Sequence, residues 1–242
     1  MVRASNARRS FGATLARIAG WIVAGILLTA ALWLAWVAAH IAWYRSFAPG
    51  ETAFMAQRIA EAHAKNPKAE LRYRFVPYAR ISMQLKRAMI AAEDAKFVDH
   101  EGFDWEGIER AREKNERRGK IVAGGSTITQ QLAKNLFLSP AKSYVRKGEE
   151  AVITVMLEAM LDKRRIFELY LNVIEWGNGV FGAEAAAQRY FGVSAAQLNA
   201  EQAARLAAMA PNPRFYERNQ GAPGLHRKIG IILTRMPGAE VP

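Results

Sequence analysis

Three short stretches carry residue types and spacings that could do chemistry. The first is Glu93-Asp94-Ala95-Lys96-Phe97-Val98-Asp99-His100-Glu101-Gly102-Phe103-Asp104, five acids in twelve residues beside aromatic rings. A carboxylate against an apolar wall has its pKa raised and can serve as a general base near neutral pH; a solvated acidic surface is the plain alternative. The second is Gly124-Gly125-Ser126-Thr127-Ile128-Thr129-Gln130-Gln131-Leu132-Ala133-Lys134-Asn135. Glycines ahead of a helix, with hydroxyls in its first turn, leave backbone N–H groups for an anion. An ordinary capped helix is the plain alternative there. The third is Arg146-Lys147-Gly148-Glu149-Glu150, which on a helix sets two cations and one carboxylate on one face. Base before acid is the less favourable order for helix stability, so a stabilising surface pair explains it poorly.

The surrounding elements read as helices. Ser82 is a plausible N-cap for a helix carrying Leu85, Met89 and Ala92 and ending at Glu93-Asp94. Residues 109–125 predict a charged, solvated helix and then a mobile glycine-containing loop. Further helices are expected over 127–136, 145–161, 164–173, 201–209 and 225–235, with Pro211 and Pro213 ending the fourth of these. An amphipathic helix is expected over 51–65, stopped by Asn66-Pro67. Strand patterns are scarce, 71–76 being the best. The fold class is mainly α.

From Ile18 to Tyr44 there is no Asp, Glu, Lys or Arg. A helix of that length spans roughly 40 Å, more than a hydrocarbon core of about 30 Å. Signal-peptide cores are shorter, so an uncleaved anchor is favoured. Arg3, Arg8, Arg9 and Arg17 precede it with no acid among them, which keeps the N-terminus in the cytoplasm and the rest outside. The expected divisions are 1–17 (cytoplasmic basic terminus), 18–44 (transmembrane anchor), 45–80 (neck) and 81–242 (catalytic domain). The formal net charge is +12, which favours an anionic partner. The topology points to an anionic, lipid-bound substrate rather than nucleic acid. With no cysteine, a thiolate metal site and a Cys nucleophile are excluded.

The three stretches occur in the order just given, followed by Lys163-Arg164-Arg165-Ile166-Phe167-Glu168-Leu169-Tyr170-Leu171-Asn172 and by Ala210-Pro211-Asn212-Pro213. Together they resemble the motifs of glycosyltransferase family 51, whose members include monofunctional and bifunctional peptidoglycan polymerases. The resemblance covers roughly residues 70–220. It implies a lysozyme-like glycosyltransferase domain with a small jaw subdomain at the membrane, for which Leu136-Phe137-Leu138 would suit, simple core packing being the plain alternative for these three. It also implies that a sugar 4-hydroxyl attacks the anomeric carbon of a growing lipid-linked glycan. Undecaprenyl diphosphate leaves, and lipid II becomes β-1,4-linked glycan with inversion.

By resemblance, Glu93 is the general base, and Glu150 is a second acid holding the basic groups or a metal. Lys134, Arg146 and Lys147 face the developing phosphate charge, and Ser126, Thr127, Gln130, Gln131 and Asn135 bind substrate. No cofactor is obligatory, with room for Mg2+ or Mn2+ at the diphosphate but no protein-built metal site. Membrane lipids and other cell-wall synthesis or division proteins are the further partners implied, at the inner membrane. A lytic glycan hydrolase and a non-enzymatic envelope scaffold are the alternatives. Two lookalikes fail. Ser139-Pro140-Ala141-Lys142 lacks the Lys-Thr-Gly of a transpeptidase. Gly177-Asn178-Gly179-Val180-Phe181-Gly182 follows a helix rather than a strand, so it is no dinucleotide fingerprint.

Overall fold

The computed structural model describes residues 2–120, 124–139 and 143–242, with the backbone alone for 2–13, 15 and 16. The transpeptidase lookalike therefore lies mostly outside the described residues, as do part of the expected loop before Gly124 and the side chains of Arg3, Arg8 and Arg9. The chain divides into two units, Met1–Trp43 and Tyr44–Pro242.

The first unit lies within one helix, α1 (Val2–Tyr44), whose stretch Arg17–Tyr44 has a mean hydropathy of 2.2. Trp21, Ile22, Ile26, Leu27, Leu28 and Leu32 are exposed along it. A helix presenting such rings and branched chains is suited to lipid rather than water. The helix fits a single-pass membrane anchor.

The second unit is mainly helical. It begins with α2 (Ala53–His63) and the short strand β1 (Arg72–Tyr73). Then come α3 (Met83–Glu93), α4 (Trp105–Arg118), α5 (Ile128–Phe137), α6 (Tyr144–Met160) and α7 (Lys163–Val173). A hairpin of β2 (Glu175–Gly177) and β3 (Val180–Phe181) follows, and α8 (Ala183–Phe191), α9 (Ala200–Met209), α10 (Pro213–Arg218) and α11 (Pro223–Arg235) complete it. β3 is central, parallel to β1 and antiparallel to β2. Segment 45–80 is part of this unit: Phe54 and Met55 are buried, and α2 packs on α5.

Caps set most helix starts. The Ser82 hydroxyl accepts from Gln84 N–H, Asp104 accepts from Gly107 N–H, and Asp162 accepts from Arg165 N–H. α5 begins with a full capping box, Thr127 and Gln130 each accepting the other's backbone N–H. α5 then lies among α2, α6 and α7, while α3 packs on α9 and α11. Leu85, Met89, Ile128, Leu132, Phe97, Phe167, Tyr170 and Trp176 fill the core and are inaccessible to solvent.

The helix over 201–209 ends at Met209, ahead of Pro211 and Pro213 as expected, and Pro213 then occupies the first turn of α10, where its missing N–H costs nothing. Other expectations change. The glycine-rich segment 177–182 runs from the end of β2 through the hairpin turn and β3 to Gly182, so it follows a strand and not a helix. Gly182, at φ +81°, lies so close to Asn172 that a Cβ would sit 2.5 Å from its carbonyl oxygen. α8 is a helix the periodicity had not flagged. Leu136 and Leu138 are buried, so they belong to the core rather than to a membrane-touching jaw. The exposed apolar side chains in this part of the chain are instead Tyr144, Val145, Val152 and Val155 on α6.

Candidate active site

Glu93 is the last residue of α3, and Asp94 caps it with extended backbone. This turn sends the two adjacent carboxylates to different tasks. Asp94 is buried. Its Oδ1 lies 2.9 Å from His100 Nε2, and its Oδ2 accepts Ile128 N–H at 3.0 Å, the first N–H of α5. Thr127 Oγ1 donates to Gly102 carbonyl oxygen at 2.7 Å, a second tie between the loop after α3 and the start of α5. Gly102 has φ +87°, and a Cβ there would meet Thr154 Cγ2 at 2.7 Å.

Glu93 is left facing a small cavity. Its Oε2 accepts from Gln131 Nε2 at 2.8 Å, and Gln131 Oε1 accepts from the buried Tyr170 hydroxyl at 3.2 Å. Burial pushes the Glu93 carboxyl above the ordinary carboxylate value; the Gln131 hydrogen bond and the charges of Lys228 and Lys134 oppose this without cancelling it. The helix C-terminus, where carbonyl dipoles disfavour an anion, acts in the same direction as burial.

Gln131 also lines a larger cleft of about 250 Å3, with Lys134, Asn135 and Tyr170 on one part, and Phe54, Arg58, Ile174, Glu175 and the segment Ala210–Arg214 on the rest. The small cavity, of about 100 Å3, holds Glu93 together with Gly124, Gly125, Ser126 and Thr127. Lys134 is partly buried, and that burial depresses its pKa; Glu150, Arg146, Lys147 and Glu93 all act on its charge. The acid of the first stretch and the charged trio of the third thus share one electrostatic neighbourhood around a lysine of the second.

Glu150 is 3% exposed. It accepts from Arg146 Nη1 at 2.7 Å and from Lys147 Nζ, so this is not the exposed ion pair that helix spacing also allowed. Arg146 Nε is buried and has no acceptor among the described residues. Both Glu150 oxygens are engaged by cations and both Asp94 oxygens are engaged as well. That donor set does not suit a divalent metal.

The remaining sequence candidates separate by placement. Ser126 is exposed in the small cavity beside Glu93. Gln131 lines the cleft and orients Glu93. Asn135 is buried and donates to the Gln131 carbonyl oxygen at 2.7 Å. Thr127 and Gln130 are buried and form the capping box, and Thr127 also lines the small cavity that holds Glu93.

Sequence reasoning missed Arg58 and Arg214, which clamp Glu175 at 3.2 and 2.7 Å, and Lys228, whose charge reaches Glu93. No local spacing signals these contacts, because each partner comes from a distant segment.

Residues 58–237 match the model of the transglycosylase family. Proteins named biosynthetic peptidoglycan transglycosylase are similar over nearly the full length. The one from Dechloromonas aromatica is 63% identical over 91% of this chain and 96% of its own length. That from Chromobacterium violaceum is 59% identical over 94% of this chain and 100% of its own. With a family match over most of the chain and such identity to full-length relatives, the chain belongs to the transglycosylase family.

Proposed function

We propose that this protein is a peptidoglycan glycosyltransferase that polymerises lipid II into β-1,4-linked glycan at the outer face of the cytoplasmic membrane, releasing undecaprenyl diphosphate. The carrying observation is the pairing around Lys134 of a carboxylate with a raised pKa, Glu93, and a cationic group formed by Arg146 and Lys147. The names of the relatives supply peptidoglycan as the polymer.

In this mechanism the acceptor 4-hydroxyl gives its proton to Glu93 as its oxygen bonds to the donor's anomeric carbon. Gln131 occupies Glu93 Oε2, leaving Oε1 to take the proton. The bond from the anomeric carbon to the diphosphate oxygen breaks, and the electron pair leaves with the diphosphate. Lys134, Arg146 and Lys147 stabilise that charge, with Arg146 Nε as an unspent donor. A diphosphate departs as an anion, so the strong general acid that a glycosidase needs for an alkoxide is dispensable. Direct displacement turns an α-linked donor into a β-linked product.

The apolar helix over Arg17–Tyr44 holds the domain where the lipid carrier lies, and the basic N-terminal flank keeps that end cytoplasmic. Tyr144, Val145, Val152 and Val155 offer a further apolar face to the bilayer. The test is gel analysis of products from the purified full chain given lipid II or finished cross-linked glycan. Polymer from lipid II supports the reading. Cleavage of finished glycan without polymerisation would establish a lytic hydrolase instead.

A further inference from the structure

A second cavity adjoins the cleft and shares Arg214 with it. It is about 540 Å3, and Lys65, Arg72, Arg189 and Arg218 also line it, with Glu70 and Glu217 as its acids. Some of this charge is already used. Arg214 Nε donates to Glu175 at 2.7 Å. Glu217 faces Arg189 at 3.7 Å and accepts Asn178 N–H at 2.7 Å. Lys65, Arg72 and Arg218 have no carboxylate within ion-pair distance among the described residues. Three such cations around one concavity repel each other and favour an anion between them.

The pocket is framed by regular structure rather than by loose side chains. Arg72 N–H donates to the Gly179 carbonyl oxygen at 2.8 Å, and Arg72 pairs in register with Val180. The hairpin strand leads from Glu175 in the cleft to Asn178 in the pocket. Three residues of strand cover roughly 10 Å, the reach of a short peptide.

We propose that this pocket binds a peptide stem carried by the substrate, its cations taking the stem carboxylates. The proposal rests on the reading that the cleft polymerises a lipid-linked disaccharide-peptide, and it assigns that substrate's peptide a place of its own. Guanidinium groups of Arg72 and Arg218 suit carboxylates because both partners are planar and fork-shaped. A sugar in the cleft with its stem in the pocket would pass the wall formed by Arg214.

The experiment uses the full chain in detergent with two lipid-linked disaccharides, one carrying the stem and one stripped of it. The double variant Arg72→Ala/Arg218→Ala is expected to raise KM for the stem-bearing substrate about three- to tenfold, as for partly screened charge pairs. Its kcat should stay unchanged, and the stripped substrate should show no change in either constant. The KM effect should shrink as salt rises. If the double variant melts early, the single variants Arg72→Gln and Arg218→Gln each remove one charge, and an unchanged KM for the stem-bearing substrate in both would overturn the proposal. An equal loss on both substrates, or no loss on either, would overturn the proposal while leaving polymerase activity standing. A wild-type chain that polymerises neither substrate would bring down the underlying functional reading, and this inference with it.

Discussion

Glu93 and Glu150 both act on the charge of Lys134, yet their surroundings differ in kind. Glu93 sits at a helix end with one neutral amide donor, and burial holds its pKa up. Glu150 sits within α6, 3% exposed, with a cation on each oxygen. The first environment makes a carboxylate that takes up a proton readily. The second makes a carboxylate that holds two cations in place. Residue type is the same in both; the neighbours assign the task.

The largest effect should follow from removing the base. Glu93→Gln is expected to slow polymerisation by about 10²–10⁴-fold, measured as glycan formed from lipid II. Near-normal turnover in that variant would end the contrast between the two acids. In the wild-type enzyme the rate should rise with pH as Glu93 loses its proton. That acid limb should lie above the ordinary carboxylate value of 4.5, because the folded pKa is raised. Linkage gives a matching stability effect. A carboxyl whose folded pKa exceeds its unfolded one favours the folded state below the unfolded value, and that advantage is lost as pH rises through the folded value. Glu93→Gln has no such loss, so its melting temperature at neutral pH should exceed that of the wild type.

Next in size are the changes at the second acid. Arg146→Ala removes one cation from the buried Glu150 and the free Nε donor with it. Turnover should fall roughly 10²–10³-fold, and stability by about 3 kcal/mol, since one member of a buried pair is lost. If assays well below the melting temperature find full turnover, Arg146 only supports the fold. Glu150→Gln keeps both cations and loosens them. A loss of about tenfold fits a positioning role, whereas a loss as deep as that of Glu93→Gln would make Glu150 a second proton-transfer group.

The contrast between the acids was only half legible in the sequence. Helix starts at Ser82 and Thr127 were readable because their caps are local, and the mainly helical class followed from periodicity. The three charged stretches could be picked out, and their order carried the family resemblance. Which of the adjacent pair Glu93-Asp94 turns toward Gln131 was not readable. That depends on Asp94 reaching Ile128 and His100, and the Ile128 contact spans 34 positions. The Thr-x-x-Gln capping pattern at Thr127 and Gln130 was visible and signals that these side chains serve the helix. The Gly-Asn-Gly turn at 177–179 was equally visible as a hairpin signal. Glu175 between Arg58 and Arg214 joins three distant segments, so no window on the chain could reveal it.

The finest distinction between the two acids lies one bond further from Glu93. Tyr170 is fully buried, and its hydroxyl fixes Gln131 so that the amide presents N–H, not oxygen, to Glu93. Tyr170→Phe frees that amide to turn. The Gln131 hydrogen bond lowers the Glu93 pKa, so weakening it should move the acid limb of the rate profile to higher pH. The expected loss in kcat is only about two- to fivefold, in line with about 1 kcal/mol for one neutral hydrogen bond. Glu150 has no such neutral relay, so the pH profile of Glu150→Gln should keep its acid limb in place. An unmoved limb in Tyr170→Phe would mean that burial alone sets Glu93, and that the Tyr170–Gln131 chain contributes packing but no proton affinity.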